Sequence, residues 1–347
     1  MTKSHARLAA SADRRGDLGT SSYASRLDSS ADGTNPRLGL CCQFIEQPIR
    51  FRTTTATCLM KLSDADRRLK LSGICLSNAE SLLAALRFCV EHGISCFRIN
   101  SQILPVKTHP TAGYSLSELP AADATIAAFR SCRRFVEEHN LRVVFHPDQF
   151  VVLNSPHEDV VQKSIYELEY HAEVAEWVGA DVINIHGGGA YGHKAAALAR
   201  FARNLDRLSN SVRLRLTIEN DDKVYTPKDL LPLCQATGLP LVYDVHHHRC
   251  LPDGLSIEDA TNSAISTWNR EPLFHISSPL EGWSGLKPQR HHDFVDLSDF
   301  PDCWRQRRIT VEVEAKAKEL AVLRLRDELL SPVAAPPGHP CRTGVSR

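Results

Sequence analysis

One short apolar run leads without a spacer into a carboxylate and three imidazoles, in the stretch Leu241-Val-Tyr-Asp244-Val-His246-His247-His248. This stretch is the strongest indication of the fold in the sequence. The apolar part is typical of a buried strand in a parallel sheet. An Asp and a His three residues apart can turn toward one ion where the strand leaves the sheet. We therefore assign Asp244 and His247 as metal ligands, and we expect His246 and His248 to support the ligands or to face the substrate.

Five other apolar runs also end at a side chain that can bind a metal ion. The residues at these ends are His146, His186, Glu219, His275 and Glu314. A single His after an apolar run is more often an ordinary residue, but the repeated pattern requires a fold that brings strand ends together. Counting a first strand at 37–41, the chain alternates eight strands with helices, which favours an α/β fold of the TIM (β/α)8 type over an open doubly wound sheet.

The alternation gives bounds for the individual elements. Strands are predicted at 37–41, 96–99, 143–145, 182–185, 214–218, 241–243, 273–276 and 309–313. Helices are predicted at 78–92, 122–139, 159–177, 193–209, 227–237, 257–268 and 316–330. Gly93, Gly179 and Gly238 follow three of these helices, where a left-handed residue ends a helix at little cost.

The two ends of the chain differ from its centre in composition. Residues 1–35 are rich in Ser, Ala, Arg, Asp and Gly and lack apolar periodicity, and residues 331–347 are rich in Pro. We expect a disordered leader over 1–35, one barrel domain over 36–330 and a disordered tail.

The overall composition is that of an ordinary globular protein, with 42% hydrophobic and 24% charged residues. Lys and Arg number 41, as do Asp and Glu, so a nucleic-acid partner would need a local positive field, to which bound cations could contribute. The 11 Cys residues lack paired CxxC spacing, which indicates reduced thiols in a cytoplasmic protein. We expect neither a membrane span nor a secretory signal.

The strand-end residues, together with the loop residues His109 and His292, form a set of carboxylates and imidazoles that suits Mn²⁺, Zn²⁺ or Fe²⁺. The set is too large for one tetrahedral ion, whereas two or three ions about 3.5–4 Å apart would use it, and such clusters hydrolyse phosphate esters. The glycines at 187–189 either cradle a phosphate or form a tight turn that a substrate can approach. The remaining histidines on predicted helices or their ends are expected to be ordinary: His92, His139, His157, His171 and His193.

Several longer motifs occur in order between about Arg37 and Glu319, which spans most of the predicted barrel. They are Phe97-Arg-Ile-Asn-Ser101, Leu104-Pro105 with His109-Pro110, Phe145-His146-Pro-Asp-Gln149-Phe150, Asn184-Ile-His186-Gly-Gly-Gly-Ala-Tyr-Gly192, Ile218-Glu219-Asn-Asp221, Asp244-Val-His-His247-His248 and Val313-Glu314-Ala-Lys316. Together they resemble the UV damage endonuclease family. Endonuclease IV and xylose isomerase-like barrels share the general layout but not these strings.

The resemblance implies a xylose isomerase-like barrel, expected to act as a monomer, that cuts damaged double-stranded DNA. The cut would fall immediately 5′ of a UV photoproduct or other lesion, leave a 3′-hydroxyl and begin excision repair. Gln149 and Phe150 match two residues that family members wedge into the gap left by an extruded dinucleotide. Glu219, His247 and Glu314 are expected to act in catalysis. The resemblance also implies two or three divalent ions, usually manganese, bound by His109, His146, His186, Glu219, Asp244, His247, His275, His292 and Glu314.

Three positions depart from the family pattern. Leu273 stands where some members have a modified lysine, Leu40 replaces a tyrosine, and Phe150 replaces a wedge tyrosine of some members. None of these changes removes a metal ligand, but they bear on substrate range and metal occupancy. Two other functions stay open, namely a metal-dependent sugar isomerase or epimerase on the same barrel and a non-catalytic binder of DNA damage.

Overall fold

The computed structural model describes residues 35–331, so the predicted leader and tail lie outside the described residues. The strands are β1 Arg37–Cys41, β2 Cys96–Ile99, β3 Arg142–Phe145, β4 Val182–His186, β5 Leu216–Glu219, β6 Leu241–Asp244, β7 Leu273–Ile276 and β8 Thr310–Val313. They form a closed parallel barrel in chain order, in which β1 pairs with both β2 and β8. The predicted TIM (β/α)8 fold is confirmed. Strand bounds agree with the predicted ones to within a residue, except that β5 begins at Leu216 and not at 214.

Helices surround the barrel. They are α1 Ala56–Leu59, α2 Asp64–Glu91, α3 Ala122–Glu138, α4 Glu158–Val178, α5 Lys194–Leu205, α6 Asn210–Arg213, α7 Pro227–Thr237, α8 Val245–Cys250, α9 Ile257–Ile265 and α10 Lys318–Leu330. The helix predicted over 193–209 is divided into α5 and α6, because the side chain of Ser209 caps a new N-terminus. Gly93, Gly179 and Gly238 have φ values of 64°, 80° and 72°, so the predicted left-handed helix ends are confirmed.

Helix α2 differs most from the predicted elements, since it begins at Asp64 and not at residue 78. Ser63 caps its N-terminus by accepting a hydrogen bond from the backbone N–H of Asp66. Contrary to expectation, α2 is long and apolar enough to cross a membrane by length and composition. Of its most apolar stretch of 18 residues, 50% is buried inside the protein, where side chains such as Leu71 pack in the hydrophobic core.

Side chains alternate along each strand between the barrel interior and the surrounding helices. Leu40 packs in the main core and not with the polar side chains at the strand ends. Toward the amino ends of the strands, the interior is filled by an apolar cluster of Cys96, Val144, Val182, Val242 and Leu273. Nearer the carboxyl ends lie the buried polar side chains of Arg98, Asn184, Thr217, His275 and Glu312. The polar chemistry is thus concentrated at the barrel end where TIM-barrel enzymes place their active sites.

Candidate metal centre

Three overlapping groups of candidate ligands lie at the carboxyl ends of the strands, and within each group the ligand atoms are within 4.8 Å of one another. Because Glu219 belongs to two groups and Asp244 also belongs to two, these carboxylates could bridge neighbouring cations. The strand-end residues identified in the sequence therefore converge on one site. The groups are His146, His186 and Glu219; Glu219, Asp244 and His247; and Asp244, His275 and Glu314.

Glu219 is the central residue of the site and is completely buried. Its Oε2 atom lies 2.9 Å from Nε2 of His146 and accepts a 2.5 Å hydrogen bond from Nδ2 of Asn184. Its Oε1 atom lies 3.1 Å from Nδ1 of His275 and 3.4 Å from Nδ1 of His247. A single carboxylate at the end of β5 thus contacts side chains from β3, β4, β7 and α8.

Asp244 lies at the junction between β6 and α8, a short helix that the sequence motif does not by itself indicate. Its Oδ1 atom accepts a 2.8 Å hydrogen bond from the backbone N–H of His247 and so caps α8. Asn220 fixes the junction, because it donates to the carbonyl of Asp244 and accepts from its backbone N–H, both at 2.9 Å. The helix brings His247 to the site, with Nδ1 3.4 Å from Oδ2 of Asp244.

The same helix buries His246 and His248. Nδ1 of His246 lies 3.2 Å from the carbonyl of Ser277. The two ring nitrogens of His248 lie 2.8 Å from the Tyr243 hydroxyl and 3.0 Å from Asp253. These contacts favour a supporting role for both imidazoles in the structure around the ligands.

A buried ion-pair network lies directly beneath the candidate ligands, and its members Arg98 and Glu312 are not strand-end residues. Arg98 donates to Oε2 of Glu312 at 2.9 and 2.5 Å and to Oε1 of Glu314 at 2.6 Å. Oε2 of Glu312 also lies 2.8 Å from Nε2 of His275. The sequence does carry a signal for this network, because Glu312 and Glu314 are two residues apart on one strand and so share a face.

The buried acids and imidazoles shift one another's pKa. Burial by itself would raise the pKa of Glu219, yet His275 and His186 hold it well below its ordinary value. Burial would also raise the pKa of Glu314, but Arg98 and His275 lower it strongly. Burial would lower the pKa of His275, whereas Glu219 raises it to about 10. Ionised carboxylates therefore face the protonated imidazole of His275, and a cation binding there would displace that proton.

The two loop histidines assigned as ligands lie outside the three groups. His109 is exposed on the loop after β2, and its Nδ1 atom accepts hydrogen bonds of 3.2 Å from the backbone N–H groups of Thr111 and Ala112. Nδ1 of His292 accepts a 3.0 Å hydrogen bond from the backbone N–H of Phe294. One ring nitrogen of each histidine thus accepts hydrogen bonds from nearby backbone N–H groups, and the roles of His109 and His292 as metal ligands stay predictions.

His291, which the strand-end pattern did not identify as a candidate ligand, lies beside the site. Its Nδ1 atom is 3.8 Å from Oε2 of Glu314, and its ring centroid is 6.5 Å from that of His247. Adjacent histidines in a loop point in different directions, and the sequence does not show which of them turns inward.

The three groups open into a cleft of about 920 Å³. Lys163 and Lys223 line this cleft, but so do six acids, including Asp148, Glu167, Asp221 and Asp222, so its side chains alone give no positive field for DNA. The predicted wedge residues Gln149 and Phe150 line it as well, and Phe150 is 79% exposed. The candidate ligands that line it are His146, His186, Glu219, His247 and Glu314.

The glycines after β4 leave no room for side chains. A Cβ atom on Gly187 would lie 2.7 Å from the ring of Tyr225, and one on Gly188 would lie 2.3 Å from Oδ1 of Asn154. Gly188 also has a φ of 81°. The segment is therefore a tight turn packed against Tyr225 and Asn154, and its role toward a phosphate or a substrate stays a prediction.

The residues present fit divalent cations. Oδ2 of Asp244 and Nδ1 of His186 are buried and have no hydrogen-bond partner among the residues that the structure describes. Buried polar atoms without partners are costly, so such atoms in a cluster of possible ligands indicate a missing charged partner. The donors are carboxylate oxygens and imidazole nitrogens, a combination suited to Mn²⁺, Zn²⁺ or Fe²⁺.

Comparison with known proteins agrees with this geometry. The model of the family UV-endonuclease UvdE matches residues 36–335. The UV DNA damage endonuclease of Bacillus velezensis is 35% identical over 294 residues, which cover 80% of this chain and 88% of the relative. The crystal structure of SacUVDE is similar with a TM-score of 0.76 and 31% identity, over 85% of this chain and 98% of that one.

A more distant structure shares the fold alone. Endonuclease IV from Thermus thermophilus superposes with a TM-score of 0.56 at 18% identity, over 85% of this chain and 99% of that one. The xylose isomerase-like barrel expected from the resemblance is confirmed. Because the family model covers nearly all of the described barrel and the curated relative exceeds 30% identity over most of its length, the chain belongs to the UvdE family of UV endonucleases.

Proposed function

We propose that this chain hydrolyses the DNA phosphodiester immediately 5′ of a UV photoproduct or other lesion and thereby begins excision repair. One observation supports this proposal above the others: five of the nine candidate ligands and the wedge residues Gln149 and Phe150 line the same cleft. A polar site alone would suit many substrates, including a sugar. The exposed aromatic ring and amide beside it suit a duplex from which bases have been extruded.

The activity would depend on two or three divalent ions, with manganese as the expected metal. Bound cations would generate a hydroxide from water at neutral pH and stabilise the leaving oxygen. The chain holds Glu219 and Asp244 where each can bridge two groups, and Arg98 fixes Glu314 from beneath. His291 joins His109 and His292 as a candidate ligand outside the three groups, because it lies beside Glu314.

Several groups of the chain would position the DNA. Glu219, His247 and Glu314 line the cleft, and we place them next to the scissile phosphate. Lys163 and Lys223 could contact the DNA backbone, but because six acids also line the cleft, bound cations would have to supply most of the attraction to DNA, which weakens as salt increases. Phosphate contacts of this kind bring a duplex to the site without reading its sequence.

A nicking assay tests the proposal. The substrate is a duplex with one cyclobutane pyrimidine dimer, incubated with Mn²⁺ and the wild-type protein or Glu219→Gln. We expect a nick 5′ of the dimer with wild type and a loss of at least about 100-fold with Glu219→Gln, because the variant lacks the bridging charge. His139→Ala is the control, since His139 is exposed at the end of α3 and should leave the rate unchanged.

The possible failures of this assay separate the alternatives. Equal rates for wild type and Glu219→Gln would contradict the role of the metal centre. Lesion-specific binding without product at any Mn²⁺ concentration would indicate a non-catalytic binder. Turnover of a sugar by a protein that never nicks DNA would indicate an isomerase or epimerase.

A further inference from the structure

Tyr191 is a second large aromatic residue in the cleft, and nothing in the chemistry described above uses it. Its side chain is 45% exposed and lines the same cleft as Phe150 and the candidate ligand His186. Among the tyrosines that the structure describes, the other exposed one is Tyr166 on α4, which is 53% exposed but does not line this cleft. Exposure of a tyrosine alone carries no functional meaning, so the case for Tyr191 rests on how it is held.

The backbone under Tyr191 is fixed from below. The carbonyl of Gly189 accepts hydrogen bonds from Nδ2 of Asn154 at 2.8 Å and from the hydroxyl of Tyr225 at 3.1 Å. Gly187 packs against the ring of Tyr225 so closely that a Cβ there would clash. The Tyr191 ring lies over this segment, 3.2 Å from where a Cβ on Gly189 would be. These contacts hold the segment under Tyr191 in place before any substrate binds.

Two further features fix the ring itself. Tyr191 has a φ of 47°, a left-handed conformation that is rare for a bulky residue and that tends to persist where function requires it. The guanidinium of Arg200 lies 5.6 Å from the centroid of the ring, and Nε of Arg200 donates a 2.9 Å hydrogen bond to the carbonyl of Asn154. The cation and the ring thus attract each other in a fixed arrangement.

We propose that Tyr191 is a stacking residue for an unpaired nucleobase of the DNA substrate, on the cleft wall formed by Gly187–Tyr191. This inference rests on the proposed function. A base inside a duplex has both faces covered by its neighbours, so only a base that has left the stack can present a face to this ring. Stacking between a base and an aromatic ring tolerates any base and needs only an accessible face in a fixed orientation.

The test compares Tyr191→Gly, Tyr191→Phe and the control Tyr166→Ala. Gly is the replacement because it removes the ring and accepts the left-handed backbone without strain. Single-turnover nicking of the dimer duplex with Mn²⁺ is measured at increasing protein concentration. We expect Tyr191→Gly to raise the half-saturating concentration about tenfold or more, and Tyr191→Phe and Tyr166→Ala to stay within about twofold of wild type.

The manganese content of each variant shows whether it binds metal, and its circular dichroism spectrum shows whether it is folded. A half-saturating concentration for Tyr191→Gly equal to that for Tyr166→Ala would overturn the inference. A loss in Tyr191→Phe as large as in Tyr191→Gly would also overturn it, because the hydroxyl and not the ring face would then be the contact. If wild type does not nick DNA, the proposed function fails, and fluorescence anisotropy with labelled single-stranded oligothymidylate then tests the inference: weaker binding by Tyr191→Gly than by Tyr166→Ala supports it, and equal binding overturns it.

Discussion

Nε2 of His275 lies 2.8 Å from Oε2 of Glu312, and both side chains are buried in the barrel interior. The pairing leaves Nδ1, the other ring nitrogen, facing the carboxylates of Glu219 and Glu314 at 3.1 and 3.6 Å. A carboxylate behind an imidazole fixes its orientation and strengthens it as a ligand. Glu312 therefore determines how His275 is presented to a cation.

Replacing Glu312 by Gln should weaken metal binding while the fold is retained. The variant keeps the shape but loses the charge that pairs with Arg98 and with His275. We expect Mn²⁺ affinity to fall about 10- to 100-fold, as measured by calorimetric titration. Glu137→Gln is the matched control, because Glu137 forms an exposed ion pair with Arg133 on α3. Unchanged Mn²⁺ affinity in Glu312→Gln would contradict the positioning role.

The stability of the protein after chelation of metal should depend on pH through His275. Its pKa in the folded protein is raised from an ordinary 6.5 to about 10, because Glu219 outweighs the effect of burial. A raised pKa contributes stability that is fully present below about pH 6.5 and is lost as the pH rises through 10. The free energy of unfolding, measured with urea, should therefore decrease between those two pH values.

Saturating Mn²⁺ should reverse this trend, because a cation binds the deprotonated imidazole and gains affinity as the pH rises. The matched comparison is the same urea titration with and without metal. Identical pH profiles in the two conditions would show that His275 is not linked to metal binding.

Phe150→Ala should impair nicking of damaged DNA without affecting stability or metal content. The ring is 79% exposed, so its removal leaves no cavity and should change the free energy of unfolding by less than about 0.5 kcal/mol. We expect the single-turnover rate on the dimer duplex to fall by at least about tenfold, because an aromatic wedge stabilises the unstacked DNA. Leu214→Ala, at a site 71% exposed and outside the cleft, should match wild type. Full activity of Phe150→Ala would remove the wedge from the mechanism.

Replacing each of two glycines by alanine should change the free energy of unfolding in opposite directions. At Gly188 the φ of 81° disfavours any side chain, and an added Cβ atom would lie only 2.3 Å from Oδ1 of Asn154. Gly188→Ala should therefore destabilise the protein by more than about 1 kcal/mol. At Gly73, within α2, a Cβ atom would meet nothing within 4 Å. Gly73→Ala should stabilise the helix by about 0.5–1 kcal/mol. Urea midpoints of both variants check the pair, and a shift of the same sign would contradict the packing described here.

The sequence predicted the barrel and much of the site, because each strand is an apolar run and six of the eight runs are followed by a candidate ligand at the same end. In a parallel barrel this position is the only information needed to bring His146, His186 and Glu219 together. What the sequence could not supply depends on loop and helix geometry. The direction in which His291 and His292 point is set by a loop conformation, and the start of α2 depends on packing that overrides a polar, weakly periodic segment.

Leu273, one of the departures from the family pattern, lies in the apolar layer of the barrel interior. It lies two residues before His275 on the same face of β7, but it is packed in the apolar cluster with Val144, Val182 and Val242. Leu273→Lys would place an amine among aliphatic side chains, where it must either bury a charge or lose its proton. We expect a destabilisation of at least about 3 kcal/mol in urea unfolding. Leu273→Met, which conserves volume, should cost less than about 1.5 kcal/mol. A lysine variant as stable as the methionine variant would show that this layer of the barrel is accessible to water or to an acid, and that Leu273 is exchangeable for the family residue.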